Sequence, residues 1–112
     1  MLEFTYKDLA VLYEDNHVIV VVKPCNIPSQ ADSSGDKDML TIVKEYLINK
    51  YDKAGDAYVG LIHRLDRPTG GVMVFAKTSK SASRLSEEIK SGEFEKKYLC
   101  VTCGVPKQRN GQ

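Results

Sequence analysis

Cysteine is scarce in this 112-residue chain: Cys25, Cys100 and Cys103 are an odd number and too few for a disulfide scaffold. Reduced thiols in a cytoplasmic protein are the simplest reading. Long apolar runs are missing too. The longest aliphatic run is Val18 to Val22, five residues, whereas a membrane span needs about 20. The opening Met1-Leu2-Glu3-Phe4-Thr5 has neither a basic flank nor an apolar segment, so no secretory leader is expected. Internal repeats and low-complexity segments are absent. Net charge is almost absent, at +1, with 42% hydrophobic and 28% charged residues, which argues against intrinsic disorder. The length suits one domain, able to bury roughly two-thirds of its unfolded surface.

What is present reads as alternating strands and helices. Residues 11–13 and 17–23 are rich in β-branched residues, and Glu14-Asp15-Asn16 between them is turn-like, which predicts a hairpin. The unbroken run 18–22 predicts a strand buried on both faces, ended by Lys23-Pro24 because proline cannot donate to a ladder. Residues 24–38, with two prolines and Ser33-Ser34-Gly35, read as a long loop. Met39, Leu40, Ile42, Val43, Tyr46, Leu47 and Tyr51 recur at helical spacing, with Asp36 or Asp38 as cap. Tyr58–Ile62 and Val72–Lys77 read as strands around an irregular segment 63–71. Thr78 or Ser79 caps a second helix over about 80–90, buried through Ala82, Leu85 and Ile89 and stopped by Gly92. Residues 94–103 alternate as a further strand. The fold class is α+β: a mixed, largely antiparallel sheet with two helices.

Charge is unevenly spread. Residues 1–62 hold 6 basic and 10 acidic side chains, and residues 63–112 hold 10 and 5. A basic second half suits a polyanion such as nucleic acid, although a solvated mixed-charge surface has the same composition. The densest reactive group is His63-Arg64-Leu65-Asp66-Arg67-Pro68-Thr69-Gly70-Gly71. Arg64 and Arg67 flank Asp66, and nearby cations favour an ionised carboxylate fit for nucleophilic, basic or electrostatic work. A salt-bridged surface turn before a strand accounts for the same spacing. Cys100-Val-Thr-Cys103 fits C-x-x-C, a redox pair or half a zinc site. A structural zinc needs four ligands, no second cysteine pair exists, and positions i and i+3 on a strand face opposite sides, so no metal is assigned.

His63-Arg64-Leu65-Asp66 followed by Thr69-x-Gly71 resembles the signature of the RluA family of RNA pseudouridine synthases. Leu12 to Pro24 resembles that family's opening strand pair ending in Lys-Pro, and Phe94 to Val101 its later Lys-x-Tyr strand. The three motifs fall in the family's order over about residues 10–104. The resemblance implies a cofactor-independent isomerase. Such an enzyme breaks the N1–C1′ bond of a uridine in structured RNA, turns the uracil and rejoins it through C5. It implies Asp66 as the catalytic aspartate, Arg64 as the side chain filling the space of a flipped base, and Tyr98 as the ring against the target uracil. Flipping is expected for a base held in a stem, and base–aromatic stacking is worth about 1–3 kcal/mol. His63 is assigned no chemistry.

Two departures accompany the resemblance. Gly70 stands where the family usually has serine. The family's later basic segment with His-Gln-x-Arg, whose arginine pairs with the aspartate, does not follow Gly104. Residues 1–112 are therefore expected to be the N-terminal portion of a pseudouridine synthase catalytic domain, an incomplete fold without an S4-type RNA-binding domain. An incomplete sheet exposes an edge open to a second copy. The resemblance implies ribosomal or transfer RNA as the partner and no cofactor or metal, and no membrane is expected. The alternative is a catalytically inactive fragment with the family fold and at most weak RNA binding. A thiol redox or metal module at Cys100 and Cys103 is a third reading.

Overall fold

The computed structural model of the chain describes residues 4–52 and 57–92. They contain a 3-10 turn at Tyr6–Asp8, strands β1 (Ala10–Glu14) and β2 (Val18–Lys23), helix α1 (Met39–Lys50), strands β3 (Gly60–Leu61) and β4 (Gly71–Ala76), and helix α2 (Ser79–Ser91). The strands form one sheet in the order β1-β2-β4-β3, and every pairing is antiparallel. The α+β class with two helices stands. The strand expected at 94–103, with Tyr98, Cys100 and Cys103, lies outside the described residues.

The hairpin turns one residue later than its composition suggested. Glu14 ends β1, and Asp15 makes the corner: its carboxylate accepts from the amides of His17 (2.8 Å) and Val18 (2.9 Å), the local bond that suits aspartate to turns. A bulge between Val11 and Tyr13 shifts the register on β1. Pairing of β2 with β4 is unbroken from Val18↔Ala76 to Lys23↔Gly71. It sets Ile19 beside Phe75 and Val21 beside Met73, all four fully buried. Helix α1 completes this core with Met39, Ile42, Val43 and Leu47. Each such side chain contributes roughly 1.5–3 kcal/mol on burial. Asp38 is the α1 cap, accepting from the Thr41 amide at 3.2 Å.

The other face of the sheet is less covered. Val18, Val20 and Val22 are only half-buried, and Val72 is 57% exposed. So β2 is buried fully on one face, not two: among the described residues, α1 packs on one side and α2 reaches only the β3–β4 end. There Ala82 meets Gly60 closely, for a Cβ on Gly60 would lie 3.2 Å from that of Ala82. Consistent with this marginal seat, no residue of α2 is fully buried; Ala82, Leu85 and Ile89 are half-covered. Thr78 caps α2 through the Ser81 amide (3.1 Å), and Gly92 ends it at φ +82°.

Strand β3 has two residues where five were expected. After Leu61 the Val74 amide of β4 is met by the His63 imidazole, whose Nε2 accepts it at 3.1 Å. The side chain thus replaces the ladder, and the chain is released from the sheet just ahead of Arg64.

Candidate active site

The segment between β3 and β4 carries Arg64 and Asp66, both exposed, with Leu65 between them only 8% exposed. Leu65 joins the core cluster, so its neighbours are turned outward by a buried anchor. Ser29 fixes the Leu65 backbone on both sides. Its Oγ donates to the Leu65 carbonyl (2.7 Å) and accepts from the Leu65 amide (3.1 Å). Ser29 is itself tied to α1, because its carbonyl accepts from the Leu40 amide at 3.1 Å. Beyond Asp66 the chain turns at once, the Thr69 amide donating to the Asp66 carbonyl at 2.9 Å.

Lys23 holds this turn from beneath. Its side chain is fully buried, and its ammonium donates to the carbonyls of Thr69 (2.6 Å), Arg67 (2.9 Å) and Pro24 (3.0 Å). An ammonium has three donors, and all three are used. Burial pushes the Lys23 pKa down; Cys25 and Asp66 oppose that, while Arg67 adds to it. Lys23 is the bracing residue of this loop that motif reading passed over as a strand end. The signal was present: it follows Ile19 and Val21 at a spacing of two, which puts it on the core face.

Arg67 turns away from Asp66. Its guanidinium donates to Asp36, to Ser34 Oγ (3.0 Å), to Asp32 (3.5 Å) and to Asn26 Oδ1 (3.3 Å). Its carbonyl also accepts the Asn26 amide at 2.7 Å, with Asn26 in the left-handed region at φ +68°. The long loop 24–38 is thereby fastened to the turn. Sequence proximity made Arg67 a partner for Asp66. The structure corrects this: the carboxylates of Asp32 and Asp36 take the guanidinium. Among the described residues Asp66 has no ion pair.

Gly70 is exposed, but the direction a Cβ would take is filled. A Cβ there would lie 3.1 Å from Cys25 Sγ and 3.3 Å from the Lys23 carbonyl. The Cys25 thiol therefore occupies the space toward which a serine at 70 would project. Arg64 and Asp66 thus sit on one braced loop, and Tyr98 lies outside the described residues. Among those residues, no group of His, Cys, Asp and Glu is arranged to hold a metal ion, and no helix is long and apolar enough to cross a membrane.

The arrangement has counterparts. Ribosomal large subunit pseudouridine synthase D of Xanthomonas campestris is 35% identical over 100 residues, covering 87% of this chain and 29% of that protein. The mitochondrial pseudouridylate synthase RPUSD4 of Danio rerio is 32% identical over 101 residues, covering 89% of this chain and 28% of that one. The solved structure of human RNA Pseudouridylate Synthase Domain Containing 4 superposes with a TM-score of 0.63 at 23% identity, over 75% of this chain and 30% of that chain. That likeness establishes the fold, and the chain spans under a third of the length of each of these proteins. The family model described as RNA pseudouridylate synthase matches residues 17–111, a stretch that includes Arg64, Asp66 and Tyr98. This chain belongs to the RNA pseudouridylate synthase family.

Proposed function

We propose that residues 1–112 are the N-terminal portion of a pseudouridine synthase catalytic domain, and that Asp66 carries the isomerisation of uridine in structured RNA. The observation that supports it most is the bracing of one exposed carboxylate. Leu65, the residue before it, is anchored in the core, Ser29 pins the Leu65 backbone, and Lys23 grips the carbonyls of Arg67 and Thr69 after it. A surface turn with no task has no need of a fully buried lysine beneath it. Burying a charge costs several kcal/mol unless it is fully hydrogen-bonded.

In this reading the nucleoside enters beside Asp66, and the fixed backbone holds the carboxylate at the reacting sugar and base. The N1–C1′ bond breaks, the uracil turns, and a C5–C1′ bond forms. The proton leaves C5 and N1 ends protonated, so no oxidant and no cofactor are consumed. Arg64, exposed two residues before Asp66, fills the space of the flipped base. Tyr98 stacks on the uracil. The substrate is ribosomal or transfer RNA.

The chain spans under a third of its relatives' length, which supports a second reading in which it has the fold without turnover and at most weak RNA binding. Chemical mapping of pseudouridine in unmodified ribosomal and transfer RNA, after incubation with the chain and with Asp66→Ala, separates the two. New pseudouridine from the wild type alone is the expected result. Product from Asp66→Ala contradicts the role of Asp66, and product from neither favours the second reading.

A further inference from the structure

Arg67 has no task in the chemistry above, yet it is the most heavily engaged cation on the surface around Asp66. Its guanidinium is shared between Asp36, Asp32, Ser34 and Asn26. Every acceptor lies in the 24–38 loop, which has no regular secondary structure. The carboxylates involved are accessible, at 38% for Asp32 and 56% for Asp36, and Arg67 itself at 32%. The one lysine of that loop is already occupied, since Lys37 pairs with Glu45 on α1 at 3.0 Å. Two exposed anions thus sit on an arginine directly adjoining the proposed catalytic aspartate.

We propose that Arg67 is an exchangeable phosphate site: Asp32 and Asp36 hold its guanidinium in the free protein, and a backbone phosphate beside the target nucleotide takes their place in the RNA complex. The inference rests on the reading that RNA binds at Asp66. A planar guanidinium with paired N–H donors fits carboxylate and phosphate alike. The guanidinium of Arg67, turned from Asp66 toward the 24–38 loop, would meet the phosphate adjoining a nucleotide whose sugar lies against Asp66. If Asp32 and Asp36 stayed in place, that phosphate would face two carboxylates across an already neutralised arginine. Exchange removes the repulsion and leaves one guanidinium for one phosphate. The main-chain grip on the turn persists, because Lys23 and Ser29 bind backbone groups that Arg67's side chain does not use.

A simple staple gives the opposite signature, so the sign of one variant decides. If Arg67 served only to fasten the loop, Asp32→Asn/Asp36→Asn and Arg67→Ala would both weaken RNA binding. If a phosphate competes with the carboxylates, they diverge. The experiment is fluorescence anisotropy of an unmodified transfer RNA transcript and a ribosomal RNA stem–loop, each against the full 112-residue chain at several potassium chloride concentrations. The Asp32→Asn/Asp36→Asn double variant is expected to bind roughly twofold to fivefold more tightly, the scale of a screened charge pair. Arg67→Ala is expected to bind roughly tenfold more weakly, with the log–log salt slope reduced by about one phosphate contact. Equal weakening of both variants, or an unchanged salt slope in Arg67→Ala, overturns the exchange and leaves a staple. Failure of the wild type to bind either RNA overturns the reading of RNA at Asp66, and this inference with it. Far-ultraviolet circular dichroism of each variant checks that the fold is kept; should Arg67→Ala unfold, Arg67→Lys replaces it, with weaker binding again expected.

Discussion

The turn that presents Asp66 is held by two cations, and they work in opposite ways. Lys23 lies beneath it, fully buried, with three carbonyls at 2.6–3.0 Å. Arg67 lies above it, a third exposed, facing carboxylates on a loop. A buried ammonium bound to main-chain carbonyls cannot be displaced by salt or by a polyanion, because its partners are part of the chain and water is excluded. A guanidinium on exposed aspartates is screened and, as proposed, exchangeable. The site therefore combines a rigid floor with a replaceable upper tie. This suits a carboxylate that must stay in place while a large anionic ligand arrives.

The largest expected break in the comparison is Lys23→Met. It leaves three part-buried carbonyls without their donor and should cost about 3 kcal/mol in urea unfolding. The effect should be nearly independent of salt. A loss below about 1 kcal/mol would show that the carbonyls find other donors and that the floor is not rigid. Asp36→Asn, at the exposed tie, should change stability by less than about 1 kcal/mol.

Glu14 sharpens the same contrast between buried and exposed charge. Its carboxylate is 7% exposed and receives Lys77 at 2.6 Å, Tyr51 at 2.6 Å and Lys50 at 2.8 Å. Burial alone would raise its pKa, but the hydrogen bonds from Lys50, Lys77 and Tyr51 outweigh it and bring the value to about 2 from 4.5. The folded state thus binds this proton less readily than the unfolded chain. The stabilisation is complete above pH 4.5 and is lost as pH falls toward 2. It amounts to about 3 kcal/mol. Denaturant titrations at pH 7 and pH 3 should show Glu14→Gln costing that much at neutrality and less than half of it at pH 3; an equal cost at both would contradict the assignment.

The smallest effect concerns packing beside the floor. Gly70→Ser should cost about 1 kcal/mol, because its Cβ meets Cys25 Sγ. Cys25→Ala in the same chain should recover most of it. Thermal unfolding of the two single variants and the double variant measures the coupling, and strict additivity would refute the contact.

Local chemistry made the hairpin, both helices and their caps legible, since Asp38, Thr78 and Gly92 act within one turn of their own position. What escaped was non-local. The β2–β4 register joins residues about 50 apart in sequence, and β3 stops at Leu61 because a histidine side chain takes over the Val74 amide. Glu14 looked like a turn residue because its role depends on Lys50, Tyr51 and Lys77. The loop bearing Asp66 and Arg64 was found through its motif, whereas Ser29 and Lys23 brace it across 36 and 44–46 residues. No spacing rule encodes such contacts. The apolar outer face of β2 was overestimated, because an unbroken valine run records β propensity as well as burial.

The most direct test of the account is single-turnover conversion of a mapped uridine by Asp66→Asn beside the wild type, with RNA affinity measured on the same samples. Asparagine keeps the size of the side chain and leaves the turn, Lys23 and Ser29 untouched while removing the charge. The account predicts affinity within about twofold, given how little one exposed charge contributes, and no detectable pseudouridine. Conversion by Asp66→Asn at a rate near that of the wild type would contradict it.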